Sequence, residues 1–228
     1  MGRLDGKVCI ITGATSGIGK RTAEIFAAEG AKLVIAGRRE EHGQALVRSI
    51  GAGCEFVRTD VTQEAQVKAL IDFAMTRHGR IDCLFNNAGG PAPVGGIEDI
   101  PVDGFDAAIA VLLRSVMLGM KHVAPIMIRQ RAGSIINNGS IAGSRAGYSS
   151  SIVYSAAKAA VIHLSRCVAM QLGEHQVRVN SISPGGIATG IFGKALGLSV
   201  AQAEQTAEAI KAGLAGMQPI PRAGLTDD

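Results

Sequence analysis

The sequence predicts an α/β fold built on one doubly wound parallel sheet with helices on both faces. Three observations point there. Short apolar runs alternate with segments of helical spacing along the chain. A glycine-rich turn, Thr12-Gly13-Ala14-Thr15-Ser16-Gly17-Ile18-Gly19, joins the first apolar run to the first helix. The residues with chemistry to offer fall just past the ends of the apolar runs, where ligands sit in sheets of this kind. At 228 residues, 47% hydrophobic with 30 glycines, the chain suits a single domain spanning 1–228 with a large core and many tight turns.

The elements follow in order. Val8-Cys9-Ile10-Ile11 is apolar without alternation, as a strand buried on both faces requires, and Gly13 ends it. Residues 18–29 carry Ile18, Thr22, Ile25 and Phe26 at helical spacing and stop at Gly30, a good helix terminator. The alternation then repeats: strand 32–36, helix 40–50, strand 55–58, helix 63–78, strand 81–85. A long helical region, 103–131, bears Pro125 and precedes strand 134–137, helix 153–172 and strand 177–182. This rhythm predicts helices on both faces of a parallel sheet. Gly13, Asn87, Ser140 and Pro184 follow the first, fourth, fifth and sixth strands.

Composition narrows the function classes. The net charge of +4 is modest, and lysine and arginine are scattered apart from the pair Arg38-Arg39. That points away from nucleic acid and membrane surfaces. Cys9, Cys54, Cys83 and Cys167 are widely spaced with no CxxC or ligand-like cluster, which suits reduced thiols in a cytoplasmic protein and no metal. Residues 1–7 lack the apolar run of a signal peptide, and Gly6 stands where a myristoylation motif wants Ser or Thr. No apolar stretch both reaches membrane-spanning length and avoids charges. His42, His78, His122, His163 and His175 show no metal spacing. The final residues, Thr226-Asp227-Asp228, look like a helix start with no helix after them, so the chain is expected to stop short of a last helix and edge strand.

The glycine turn reads as the cofactor end of a Rossmann-type domain. Glycine permits unusual backbone angles, close approach to a pyrophosphate and tight helix–strand packing, while helix N–H groups and dipole attract phosphate. The spacing is GxxxGxG, not the commoner GxGxxG. After the second strand, Gly37 occupies the place where an acidic residue would hold the ribose 2′-hydroxyl of NAD, and Arg38 comes next. An arginine there can hold a 2′-phosphate, so NADP(H) is favoured and NAD(H) is the alternative. A plain solvated turn also explains Arg38 and Arg39. Asp60, past the third strand, could accept from the adenine amino group, and helix capping explains it nearly as well.

Tyr154 and Lys158 lie four residues apart, on one face of a helix. A free tyrosine has a pKa near ~10; a neighbouring ammonium and a positive nicotinamide ring would favour the phenolate and lower it. Ser140 can hydrogen-bond a substrate oxygen.

With these residues, the sequence resembles the short-chain dehydrogenase/reductase family. The matching pieces are the turn 12–19, Asp60-Val61, Asn86-Asn87-Ala88-Gly89, Ser140, Tyr154-Ser155-Ala156-Ala157-Lys158 and Asn180-Ser181-Ile182-Ser183-Pro184-Gly185, in family order over almost the whole chain. The resemblance implies an oxidoreductase passing hydride between NADP(H) or NAD(H) and a ketone or secondary alcohol. It makes Tyr154 the general acid in reduction and base in oxidation, Lys158 the holder of the nicotinamide ribose, and Ser140 the polariser of the carbonyl. Gly13, Thr15, Ser16, Gly17, Ile18, Gly19, Arg38, Asp60, Val61, Tyr154 and Lys158 would contact the cofactor. So would Asn87 with its neighbours Ala88 and Gly89, and Ile187 and Thr189 after Pro184-Gly185. A homo-oligomer, dimer or tetramer, is implied where the C-terminal segment is complete.

Three departures stand out. Leu112 occupies the place of the family's asparagine, which is thought to support a proton-relay water, and Ser115 is the nearest substitute. General acid–base terms contribute typically ~10²–10⁴-fold, so an impaired relay slows turnover without abolishing it. Ser140 and Tyr154 are fourteen positions apart, one more than the commonest spacing, with Tyr148 in the loop between them as a substrate contact. The last helix and edge strand seem absent, leaving the sixth strand as an exposed edge. Segment 187–217 reads as an apolar helical lid, which suits a fairly apolar substrate, though amphipathic packing explains the same pattern. Two rivals stand beside the enzyme reading: a catalytically weak cofactor-binding or regulatory protein on the same fold, suggested by Leu112, and an epimerase or dehydratase, against which the short chain speaks.

Overall fold

The computed structural model describes Gly2–Asp228. Its strands are β1 (Val8–Thr12), β2 (Lys32–Gly37), β3 (Cys54–Arg58), β4 (Cys83–Asn86), β5 (Gly133–Asn138) and β6 (Val177–Ile182). Helices α1 (Gly17–Ala28), α2 (Glu40–Ile50) and α3 (Glu64–His78) link the first four strands, and α6 (Ile152–Leu172) joins β5 to β6. The six strands form one sheet in the order β3-β2-β1-β4-β5-β6, every neighbouring pair parallel. The chain winds outward from β1 to β3 and then returns to the other side of β1. The β1–β4 boundary is therefore the point where the connections diverge and leave a crevice at the strands' C-terminal ends.

Burial follows from this order. All of β1 and β4 is buried, which is why neither run alternates. Successive side chains still part to opposite faces. Ile10, Val34 and Leu84 pack with Leu70 and Ile71 of α3 and with Val161 of α6. Cys9, Ile11 and Leu33 pack with Ala23 of α1 and Leu46 of α2. In β6, Val177 and Val179 are buried while Arg178 and Asn180 are exposed, so one face of the strand is covered and the other meets solvent.

Several boundaries depart from the sequence reading. The fourth strand begins at Cys83, not 81, because the Gln130 side chain takes both polar groups of Ile81, accepting from its N–H at 3.0 Å and donating to its carbonyl at 2.7 Å. The predicted helix 103–131 is α4 (Val102–Ile109), a π-helical stretch over Ala110–Arg114, and α5 (Ser115–Gln130) with Pro125 inside it. Segment 187–217 is three short helices, α7 (Ile191–Ala195), α8 (Val200–Ala209) and α9 (Lys211–Ala215); Gly197, at φ +74°, separates the first two. The helical spans Val102–Gln130 and Ile152–His175 reach the length and mean apolarity of a membrane crossing, but neither avoids charges: the first carries Arg114 and Lys121, the second Lys158 and Arg166. Their apolar sides, including Val116, Val123, Met127 and Leu172, pack in the core beside the sheet. The last residues are not helical; Gly224 pairs with Ile187 in a single parallel rung, and Asp227 pairs with Arg21 of α1.

Behind the crevice lies a buried polar cluster. Asn86 donates to Asn137 Oδ1 at 2.9 Å, and Asn137 donates to Ser165 Oγ at 2.9 Å. Helix α5 passes over it at Gly119, where a Cβ would lie 2.2 Å from Asn86 Oδ1. Alanine is favoured over glycine in a helix by ~1 kcal/mol, but here the clash with a fixed amide outweighs that gain. Gly119→Ala is expected to destabilise the protein by a net ~1–3 kcal/mol in urea unfolding; a stabilised variant would mean α5 can shift away freely.

Candidate active site

The site is organised by hydrogen bonds across the β1–β4 crevice. Thr12 Oγ1 accepts from the backbone N–H groups of Asn87 and Ala88, both at 3.1 Å. Asn87 Nδ2 donates to the carbonyls of Thr12 at 2.9 Å and Gly13 at 3.3 Å. Its Oδ1 accepts from Asn138 Nδ2 at 2.9 Å. Lys158 Nζ then donates to the Asn138 carbonyl at 2.6 Å. A continuous chain of bonds thus runs from the glycine turn to the lysine of α6. Asn138 Oδ1 is left buried with no partner.

The glycines are required by contact. Gly13 sits at φ +66°, and a Cβ on it would lie 2.7 Å from Ala88 Cα; one on Gly19 would lie 2.4 Å from Asn87 Nδ2. Helix α1 starts at Gly17 with no side-chain cap from Ser16, so its first amides face the crevice free to meet an anion. A cavity of about 1160 Å³ opens over this turn. Its wall includes Gly13, Thr15, Ser16, Gly17, Ile18, Gly19, Arg38, Asp60, Val61, Asn87, Ala88, Gly89, Tyr154, Lys158 and Thr189, all anticipated from sequence. Pro184, Gly185 and Ile187 lie outside this lining. The Pro184 carbonyl accepts from Ile141 N at 3.0 Å, and Ile187 faces the Gly224 rung.

At one end, α6 presents Tyr154 and Lys158. Ser151 caps the helix, accepting from Tyr154 N at 3.1 Å and donating to the Pro93 carbonyl at 2.5 Å, which ties the helix start to the loop after β4. Lys158 is 4% exposed, and burial lowers its pKa to about 8. Burial raises the Tyr154 pKa, and the Ser140 side chain pulls it back in part. The expected lowering involves the nicotinamide ring as well as the ammonium; in the protein alone desolvation dominates. The ammonium is turned to the Asn138 carbonyl, 5.7 Å from the ring centroid, and desolvation governs both groups. Ser140 is buried and lies outside the cavity lining, its Oγ accepting from Ala142 N at 3.1 Å. The loop between Ser140 and Tyr154 holds a 3₁₀ turn, Ile141–Gly143, and a left-handed Gly147; Tyr148 is not part of the cavity wall.

Leu112 is fully buried in the π-helical stretch, packed with Ala108, Val153, Ala157 and Tyr154, and lines the cavity as an apolar wall. Ser115 does not replace the missing amide, because its hydroxyl donates to the Val111 carbonyl at 2.7 Å.

The other end is cationic. Arg38 is exposed on the cavity rim. Arg39 is not the solvated turn residue that one reading allowed: its Nη2 donates to Thr15 O at 3.1 Å and Thr15 Oγ1 at 2.9 Å, and its Nη1 is buried without a partner. An orphaned guanidinium nitrogen beside a glycine cradle fits a phosphorylated nucleotide. Asp60 lines the wall and also turns the chain into α3, accepting from Thr62 N at 2.9 Å and Thr62 Oγ1 at 2.8 Å. Burial opposes its charge, but those bonds and Arg38 keep its pKa below the ordinary value. Of segment 187–217, Thr189, Gly190, Ile191 and Lys194 reach the cavity; α8 and α9 stand behind them. Sequence reasoning missed Arg39, Asn138 and Lys194. The second arginine of the pair was the one visible signal.

Comparison with known proteins agrees with this geometry. Residues 7–196 match the family profile described as short chain dehydrogenase. The chain is 38% identical over 219 residues to momilactone A synthase of Oryza sativa subsp. japonica, covering 95% of this chain and 78% of that protein. It is 39% identical over 193 residues to (+)-borneol dehydrogenase 2 of Salvia officinalis, covering 83% and 68%. The crystal structure of levodione reductase superposes with a TM-score of 0.88 at 33% identity, covering 98% of this chain and 87% of that one. The chain therefore belongs to the short-chain dehydrogenase/reductase family, and it is an NAD(P)-dependent oxidoreductase acting on alcohol and carbonyl groups.

Proposed function

We propose that this protein interconverts a fairly apolar ketone and its secondary alcohol with NADP(H), using Tyr154, Lys158 and Ser140. One observation carries the reading: Tyr154 and Lys158 stand in the wall of the same cavity whose far end holds the glycine turn and the arginine pair. The nicotinamide ring, when bound, supplies or accepts the hydride. Tyr154 gives its phenolic proton to the carbonyl oxygen in reduction. Burial, which raises its pKa, keeps the phenol in the proton-donating form in the cofactor-free protein. Ser140, beside the phenol, orients the same oxygen. Lys158, anchored on the Asn138 carbonyl, holds ribose hydroxyls next to the phenol. Leu112, Ala92, Val111 and Ile191 in the wall suit an apolar substrate. The exposed Phe105 and Met117 support a homo-oligomer, and four free cysteines, three of them buried, support the cytoplasm.

A second reading, cofactor binding with weak turnover, is favoured by the buried Leu112. The two separate in one assay. Tyr154→Phe should abolish turnover on a panel of ketones and secondary alcohols while leaving cofactor affinity within about twofold. Equal rates in variant and parent would remove Tyr154 from the chemistry, and binding with no turnover in the parent would favour the second reading.

Cofactor choice is tested by Arg38→Ala, which should weaken NADPH at least about tenfold and NADH little, since only NADPH carries the 2′-phosphate. Equal losses would remove the argument.

Lys158 gives a pH signature. Burial lowers its pKa from 10.5 to about 8, so between those values the unfolded chain binds a proton that the folded one lacks, and stability rises with pH. Measured against Lys158→Met in urea, the cofactor-free protein should gain up to about 3 kcal/mol across that window. A flat difference would show that the ammonium is solvated.

A further inference from the structure

We infer that Lys194 on the lid joins Arg38 and Arg39 in a three-cation seat for the 2′-phosphate, so that NADP(H) locks the lid on the glycine turn and NAD(H) does not. The inference rests on the NADP(H) reading above and deepens it. The three cations come from separate elements: Arg38 follows β2, Arg39 stands at the start of α2, and Lys194 lies in α7. All three line the same cavity, Arg39 and Lys194 over Thr15 and Ser16 and Arg38 at its rim. Arg39 holds Thr15 by one nitrogen, and Lys194 Nζ donates to Ser16 Oγ at 3.2 Å.

The seat has more positive charge than the protein neutralises. Among the described residues, none of the three cations forms a salt bridge. Burial, then Arg39 and Arg38, lower the Lys194 pKa, while Glu204 of α8 acts in the opposite direction on both Lys194 and Arg39. A hydroxyl is a weak partner for an ammonium, and Arg39 Nη1 is buried with none. A dianionic phosphate with several acceptor oxygens would satisfy all three cations. The pyrophosphate has its own seat at the start of α1, on the amides of the glycine turn.

The lysine couples this seat to the lid because α7 cannot stand alone. Five residues are too few for an independent helix. It is fused to α8 instead: a Cβ on Gly193 would lie 2.6 Å from Ala203 Cα, and one on Gly190 would lie 2.9 Å from Ala203 O. A pull on Lys194 is therefore a pull on the α7–α8 pair, and Ile191, in the same short helix, is carried over the cavity with it.

The test is equilibrium titration of the whole protein with NADPH and NADH, by cofactor fluorescence, with amide exchange followed over residues 191–209. Lys194→Met keeps the aliphatic stem and removes the charge; it should weaken NADPH about tenfold and change NADH less than about twofold. Lys194→Arg should restore NADPH to within about threefold. NADPH should slow exchange in the lid of the parent and of Lys194→Arg, while NADH in the parent and NADPH on Lys194→Met should not. If Lys194→Met affects both cofactors alike, or neither, while Arg38→Ala still costs NADPH selectively, the lid lysine is outside the seat and this inference falls alone. If Arg38→Ala is unselective too, the NADP(H) reading falls and takes this inference with it.

Discussion

The Asn87 side chain is the constraint on which the site depends. Its amide has one way to be satisfied: nitrogen to the carbonyls of Thr12 and Gly13, oxygen to Asn138. That choice fixes the Asn138 orientation, sends the Asn138 backbone carbonyl to Lys158, and leaves no room for a side chain on Gly13 or Gly19. The glycine turn and Lys158 are thus set by the same few hydrogen bonds, although the residues involved come from the ends of β1 and β4, from β5 and from α6. A half-buried amide with both halves used is costly to disturb, and the crevice between β1 and β4 inherits that rigidity.

Much of this was legible in the sequence, for physical reasons. A strand buried on both faces must be apolar throughout, so β1 announced itself, and a four-residue spacing puts Tyr154 and Lys158 on one helix face whatever surrounds them. Glycines at a strand-to-helix turn carry their backbone requirement in their identity. The fold class followed from the alternation and needed no tertiary detail. What could not be read depends on closeness in space. Lys194 meets Ser16 across 178 positions, and nothing near either residue signals the other. Arg39 looked like its solvated neighbour until its donors were seen on Thr15. The π-helical stretch around Leu112 keeps helical composition, so periodicity passes over it.

The same burial acts in opposite senses on the two groups at the chemical end. It raises the tyrosine and lowers the lysine, which brings both toward neutral forms. Leu112 adds to this by making the nearby wall dry and apolar. The phenol is thus arranged as a proton donor by its surroundings, and a positively charged ring brought beside it would move it the other way. The protonation state of the phenol thus depends on the desolvation of the pocket as much as on the residues themselves.

The two faces of β6 are unlike, and this has a consequence for the protein outside its chemistry. Val177 and Val179 are covered, whereas Arg178 and Asn180 carry a charge and an amide on the exposed face. Exchanging those two for β-branched apolar residues would favour strand formation locally and, in the same stroke, put an apolar patch where the fold now meets water.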